Sequence, residues 1–518
     1  MRAILLCALL SASPILPIAA QRPAPFQVEE ATIADIHAAM GDRRLTCRAL
    51  VDQYLRRIET YDKRGPAINA IVVVSDRARA EADSLDRRFE REGLIGPMHC
   101  IPMIVKDNFE TMGMPNTAGS LSLIGFSSGR DAFQVRRLRE AGAIVLAKSN
   151  MAEFAWSPYE TVSSILPGYT RNPYDLDRVT AGSSGGTAAA VAACFGAVGL
   201  GTDTGNSIRG PSAHQALVGI RSTMGLTSRA GIVPLMLGSD VAGPMARTVA
   251  DAAAVLQVIA GPDPDDPVTA ASADRVPADY AASLERNGLR GARIGVLRQA
   301  YERPTTDPEV VRVFEAALGD MREQGATVID TVMIDDLQAI LRISQGGCNT
   351  FRYDLERYLA SHGAAAPVRT LEEIVRGGRF HPSVYQRLEQ SLRVALPPEE
   401  NPGCRSRDAM RERLREAVIA LMDAHRLDAL VYPTWSNPPR LIGDLNTPHG
   451  DNNQLFAPST GFPAITVPMG WLLGGALPAG IQFFGRPWSE PTLIRLAYAY
   501  EQATRHRRAP GMLRQAGQ

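Results

Sequence analysis

Apolar residues recur at helical spacing near the start of the chain, in "TIADIHAAM" (32–40) and in "LTCRALVDQYLRRIETY" (45–61), where Thr46 stands as an N-cap. Short continuous apolar runs follow: "AINAIVVVS" (67–75) and "IPMIVKD" (101–107) predict buried strands. In "DAFQVRRLREAGAIVLAKSNM" (131–151) a helical period gives way to an apolar run, which predicts a helix and then a strand. "SSGGTAAAVAACFGAVGLGTD" (183–203) predicts a glycine-rich start, an alanine-rich buried helix and a short strand. Such alternation points to an α/β protein, a sheet covered by helices.

The clearest interruption is "GPDPDDP" (261–267). After it, "ARIGVL" and "PEVVRVFEAALGDMREQGATVID" resume strand, helix and strand, with Asp307 and Pro308 set as N-cap and first helical residue. Residues from about 333 to 426 are helix-rich and carry no chemical motif, so they read as a covering segment. "DALVYPTW", "PAITVPMG" and "AGIQFFG" then return to strands, which predicts that the C-terminus completes the sheet begun earlier.

Composition narrows the function classes. Of 518 residues, 45% are apolar, and 55 basic side chains balance 55 acidic ones. With no net charge and no basic run, nothing favours nucleic-acid binding. The first 20 residues, "MRAILLCALLSASPILPIAA", combine one Arg, an apolar run and small residues before Gln21. They read as a signal peptide cleaved near Ala20, for a periplasmic or secreted protein, and are too short and broken for a stable membrane span. Five cysteines would remain: Cys47, Cys100, Cys194, Cys348 and Cys404. An odd, sparse set suggests neither a disulfide framework nor a zinc site. Cys348 and Cys404 could pair in an oxidising compartment, and Cys194 reads as a small core residue.

The lysines carry a sharper signal. Only Lys63, Lys106 and Lys148 stand among the 55 cationic side chains. Lys63, in the polar "YDKRGP", reads as a solvated turn residue, whereas Lys106 and Lys148 end apolar strand-like runs. Unlike Arg, a desolvated Lys can give up its proton. Two hydroxyl-rich glycine segments, "AGSSGG" (181–186) and "GTDTGNS" (201–207), offer nucleophiles and backbone donors. The first fits the GxSxG nucleophile elbow, but no strand precedes it. There is no metal-ligand spacing and no P-loop, and no histidine is nominated as a base. A serine activated by lysine remains the better reading.

The motifs "VKDNF", "AKSNMAEF", "AGSSGGTAAAVAA", "GTDTGNSIRGP", "VGIRSTMGLTSRAGIVP", "SDVAGPMARTVADA" and "GFPAITVPMG…GIQFFGRPWSE" resemble the amidase signature family in order and spacing. The resemblance implies one domain over 28–505 with a large mixed β-sheet flanked by helices on both faces. It implies a Ser–cis-Ser–Lys triad, with Ser207 as nucleophile, Ser183 after a cis Gly182–Ser183 bond as the bridge, and Lys106 as the base. The oxyanion donors would be the backbone N–H groups of Thr204, Gly205, Asn206 and Ser207. Ser184 and Lys148 would support the site, and Asp203 and Arg209 would brace the loop; no cofactor or metal is implied.

Two positions depart from the family pattern. Asn206 replaces the second of two glycines, where a positive φ is expected and Asn tolerates it. Ala181 replaces another glycine. The expected activity is that of an exported serine amidohydrolase acting on a small-molecule amide. An esterase or carbamate hydrolase, or a glutamine-dependent amidotransferase component, would use the same residues.

Overall fold

The computed structural model describes residues 26–511 apart from Pro158 and Thr331. The expected signal peptide lies outside the described residues. Eleven strands form a single sheet: β1 (Ile71–Val74), β2 (Pro102–Lys106), β3 (Ile144–Ser149), β4 (Val198–Asp203), β5 (Val218–Arg221), β6 (Val241–Ala246), β7 (Arg293–Val296), β8 (Thr327–Ile329), β9 (Ala429–Pro433), β10 (Ala464–Leu472) and β11 (Leu477–Phe484). Their order is β1-β3-β2-β4-β6-β5-β10-β11-β9-β7-β8. The sheet is mixed, as expected: β2 runs parallel to β3 and β4, and β7 to β8 and β9, while the other joins are antiparallel.

Each parallel pair needs a crossover, and helices supply it. Phe133–Glu140 connects β2 to β3, and Gly185–Ala192 connects β3 to β4. Every residue of the alanine-rich Gly185–Ala192 helix is buried, which its small side chains allow against the sheet. The predicted caps hold: Thr46 accepts from Ala49 N, and Asp307 caps the Pro308–Glu323 helix from Glu309 N. The C-terminal strands join the earlier ones directly, Thr466 of β10 pairing with Gly219 of β5. The interruption at 261–267 is an anchored turn, in which Asp266 pairs with Arg229 and Asp263 accepts from Ser228.

The segment read as helix-rich, about 333–426, holds the helices Leu337–Leu341, Phe351–Ser361, Leu371–Gly377, Tyr385–Leu392 and Pro402–Ala424, here called the cover. Phe351, Leu355, Leu359, Ile374 and Leu388 make a second apolar cluster with Phe126, Met151, Phe154 and Leu235. The cover is thereby seated on the loops beside the sheet edge that carries the site.

Two expectations fail. Four of the five described cysteines pair, against the expectation of no disulfide framework: Cys348 joins Cys404, the pair anticipated, but Cys47 also joins Cys100, 53 residues away, which no spacing nominated. The Cys348–Cys404 bridge closes the base of the cover, and Cys194 is free and buried as anticipated. Lys63 is not simply solvated: its ammonium lies 3.0 Å from the buried Asp62 carboxylate and donates to the Ile71 carbonyl.

Candidate active site

Strands β2, β3 and β4 are adjacent and parallel, so Lys106, Lys148 and Asp203 arrive at the same edge, outside the C-terminal ends of the strands. In open α/β sheets that edge is where ligands bind. Strand periodicity then separates the two lysines. Val105 is in register with Lys148, and Lys106 with Ser149, so the two ammonium groups point to opposite faces.

Lys106 is fully buried. Its Nζ lies 2.8 Å from Ser183 Oγ, 2.7 Å from Thr202 Oγ1 and 3.5 Å from the Thr202 carbonyl. Asn108 Nδ2 donates to the same Thr202 hydroxyl at 3.2 Å. Burial pushes the lysine down to about 7, against the opposing pull of the Asp203 and Asp240 carboxylates. Near neutral pH the neutral amine is therefore well populated beside the Ser183 hydroxyl, together with the ammonium.

Lys148 occupies the other face. It donates to the carbonyls of Phe109 (2.7 Å) and Pro115 (3.0 Å) and lies 3.4 Å from Asp107. Burial works against both charges, lowering Lys148 and raising Asp107, and each offsets the effect on the other. It ties down the chain leaving β2.

Ser183 follows a cis peptide bond to Gly182, at the entrance to the Gly185–Ala192 helix. Its neighbour Ser184 turns away and donates to the Thr202 carbonyl at 3.1 Å. Ser184 is the serine a GxSxG elbow would expose, and its buried bond, with no preceding strand, excludes the elbow. The Ser184 N–H donates to the Ser207 carbonyl at 3.3 Å, fastening the helix start to the turn after β4.

That turn holds Thr204 to Ser207. Among the described residues, the N–H groups of Gly205 and Ser207 donate to no protein acceptor. Asp203 anchors the turn from one side, accepting from Ile208 N (3.2 Å), Arg209 Nε (3.1 Å) and Arg221 Nη1 (2.9 Å). Burial alone would raise its carboxyl, but the two guanidinium groups prevail and hold it well below the usual range. Arg209 also reaches the Gly205 carbonyl at 2.6 Å. Thr204 Oγ1 donates to Asp240 at 2.6 Å, and Asp240 accepts from Leu235 and Met236 N–H groups. Both ends of the turn are thus clamped by carboxylates. Asp240 and Arg221 stand in the quoted motifs "SDVAGPM" and "VGIRSTMG", yet no periodicity gave them a role.

Two expectations about this turn are corrected. Neither Gly205 nor Asn206 takes a positive φ, so the glycine-to-asparagine change carries no backbone strain. The left-handed residue is Ala181, at φ 57°, where a Cβ is unfavourable. The Ser207 hydroxyl donates to Asn206 Oδ1 at 3.4 Å rather than to Ser183.

Ser207, Asn206, Gly205 and Thr204 line a cleft of about 430 Å³. Trp156, Tyr159, Leu235 and Met236 form apolar walls, and Gln454, Arg387 and Arg411 add polar ones. The cover contributes Arg387, whose guanidinium lies over the Trp156 ring, and Phe351, packed edge-on against Trp156. None of these wall residues was legible in the sequence, because they come from segments without motifs. Among the described residues, no group of His, Cys, Asp and Glu is placed to hold a metal, and no helix is long and apolar enough to cross a membrane.

The model of the Amidase family matches residues 49–494, which takes in every group just described. The chain belongs to the amidase family. A probable amidase of Arabidopsis thaliana is 33% identical over 505 residues, covering 94% of this chain and 92% of that protein. A glutamyl-tRNA(Gln) amidotransferase component of Symbiobacterium thermophilum is 35% identical over 466 residues, covering 87% and 93%. Among solved amidase structures, the peptide amidase of Stenotrophomonas maltophilia superposes with a TM-score of 0.84 at 38% identity, covering 94% of this chain and all of that one. Family and fold together make this an amide-hydrolysing enzyme.

Proposed function

We propose that the protein is an exported serine amidohydrolase that works through an acyl-enzyme on Ser207, with peptide-like amides as its substrate class. The observation that carries the mechanism is the buried Lys106 amine 2.8 Å from Ser183 Oγ, beside a cleft floored by Ser207. The Ser207 hydroxyl first turns from Asn206 towards Ser183. Lys106 takes the Ser183 proton as Ser183 takes that of Ser207, whose Oγ bonds to the substrate carbonyl carbon. The N–H groups of the 204–207 turn receive the oxyanion, already oriented by the Asp203 and Asp240 clamps. The C–N bond breaks as the proton passes to the leaving nitrogen, and water then releases the carboxylate.

Export is supported by the leader-like first 20 residues and by two disulfides, which persist in oxidising compartments. The substrate class is supported by the likeness to peptide amidase and by a cleft with apolar walls and polar ends. Mass spectrometry of the protein treated with a fluorophosphonate tests the nucleophile: the adduct is expected on Ser207, with label and amide turnover lost in Ser207→Ala. An active Ser207→Ala variant would overturn the mechanism.

A further inference from the structure

We infer that Gln454 is a specificity-determining residue that accepts a hydrogen bond from an N–H on the acyl side of the substrate. This rests on the reading of Ser207 as nucleophile and adds what the acyl group must carry.

Gln454 is exposed on the cleft wall, and its carboxamide is laid across Gly205. A Cβ on Gly205 would come within 2.1 Å of Gln454 Oε1 and 3.0 Å of Nε2. A side chain at 205 would have to displace this carboxamide, whereas the φ of Gly205 is not left-handed. The amide has one orientation. Nε2 donates to Asp451 Oδ2 at 2.7 Å, and a carboxylate can only accept, so Oε1 is the face left for a ligand. Among the described residues, no protein group donates to it.

Its mounting is stiff. Asp451 is buried and accepts from Asn453 N (2.9 Å) and Asn453 Nδ2 (3.0 Å). Asn453 Oδ1 accepts from Arg209 Nη1 at 3.1 Å, and Arg209 also holds Asp203 and the Gly205 carbonyl. One guanidinium thus fixes both the turn that receives the oxyanion and the loop that presents Oε1. The distance between hole and acceptor is built in, as discrimination by hydrogen bonding requires.

In the proposed pose, a substrate carbonyl held by the Gly205 and Ser207 N–H groups brings its first acyl atoms alongside Gly205, against Oε1. An acceptor there suits an acylated amino-acid amide, whose N–H lies one carbon beyond the scissile carbonyl. It gives nothing to a fatty or aryl amide, which has no donor at that point.

The test compares N-acetyl-leucinamide with the analogue in which ester oxygen replaces the acetamido N–H, using the full mature chain and reading kcat/KM for cleavage of the terminal amide. Wild type is expected to favour the N–H substrate by about tenfold, the worth of one good hydrogen bond. In Gln454→Met, of similar volume, that preference is expected to shrink towards unity, chiefly through loss on the N–H substrate. An unchanged preference in Gln454→Met, with fluorophosphonate still labelling Ser207, would overturn the Gln454 assignment alone. Failure to cleave either amide, with no label on Ser207, would overturn the underlying mechanism as well.

Discussion

Lys148 stands one strand away from Lys106 and points to the other face of the sheet, because its register partner is Val105. Two lysines at matching strand ends therefore have unlike environments: one meets a serine hydroxyl, the other a carboxylate and two carbonyls. Lys106→Ala and Lys148→Ala are expected to differ in kind. The first should abolish acylation and leave a folded protein. The second should unfold more readily, by about 3–5 kcal/mol in denaturant titration, because it strands Asp107 without its counter-charge.

The pH profile of kcat/KM should report Lys106. Its folded value, about 7, lies below the 10.5 of a free lysine, so the reactive neutral form gains population as pH rises through 7. Activity is expected to fall about tenfold per unit below that point and to level off above it. The same shift acts on stability in the same sense. Between about 7 and 10.5 the unfolded chain binds the proton and the folded one does not, so this site's contribution grows as pH rises and is at its worst below 7. Lys106→Met should therefore be inactive yet at least as stable as wild type at pH 6, as thermal denaturation would reveal.

Ala181 sits at φ 57°, a region that disfavours any Cβ. Ala181→Gly is expected to stabilise the protein by about 0.5–1 kcal/mol, less than the full strain because glycine also loosens the unfolded chain. A fall in the thermal midpoint would contradict this.

Much of the fold was legible in the sequence. Thr46, Asp307 and Pro308 punctuate helices by local chemistry, and short apolar runs bounded by glycine foretell strands. The Ser183, Ser207 and Lys106 constellation was legible through motifs, since each lies next to an element end that the motif spans. The cleft wall was not. Arg387, Gln454 and Trp156 reach it through packing between distant segments, and nothing in their own neighbourhoods records that meeting. The Cys47–Cys100 disulfide was hidden for the same reason, with 53 residues between the partners, whereas the Cys348–Cys404 pair was anticipated.

The Cys348–Cys404 bridge ties the two ends of a segment that includes Arg387 and Phe351. Closing a loop of that length is worth about 4 kcal/mol in the chain-entropy account. A Cys348→Ser, Cys404→Ser double variant is expected to lose stability of that order and to raise KM with kcat nearly unchanged, because Arg387 belongs to the wall, Phe351 backs its Trp156, and neither is a reacting group. An unchanged KM would show that the cover holds its place by apolar packing alone.

Desolvation of Lys106 has a consequence for the order of events in the life of the chain. In an extended polypeptide this side chain is an ordinary ammonium with no appetite for a proton, and Ser183 and Ser207 are ordinary alcohols. In the proposed mechanism the base comes into being only when β2 and β4 close around it and water leaves. On that mechanism, newly made chains are chemically silent until the core closes, and hydrolytic capacity reports that the core has been completed.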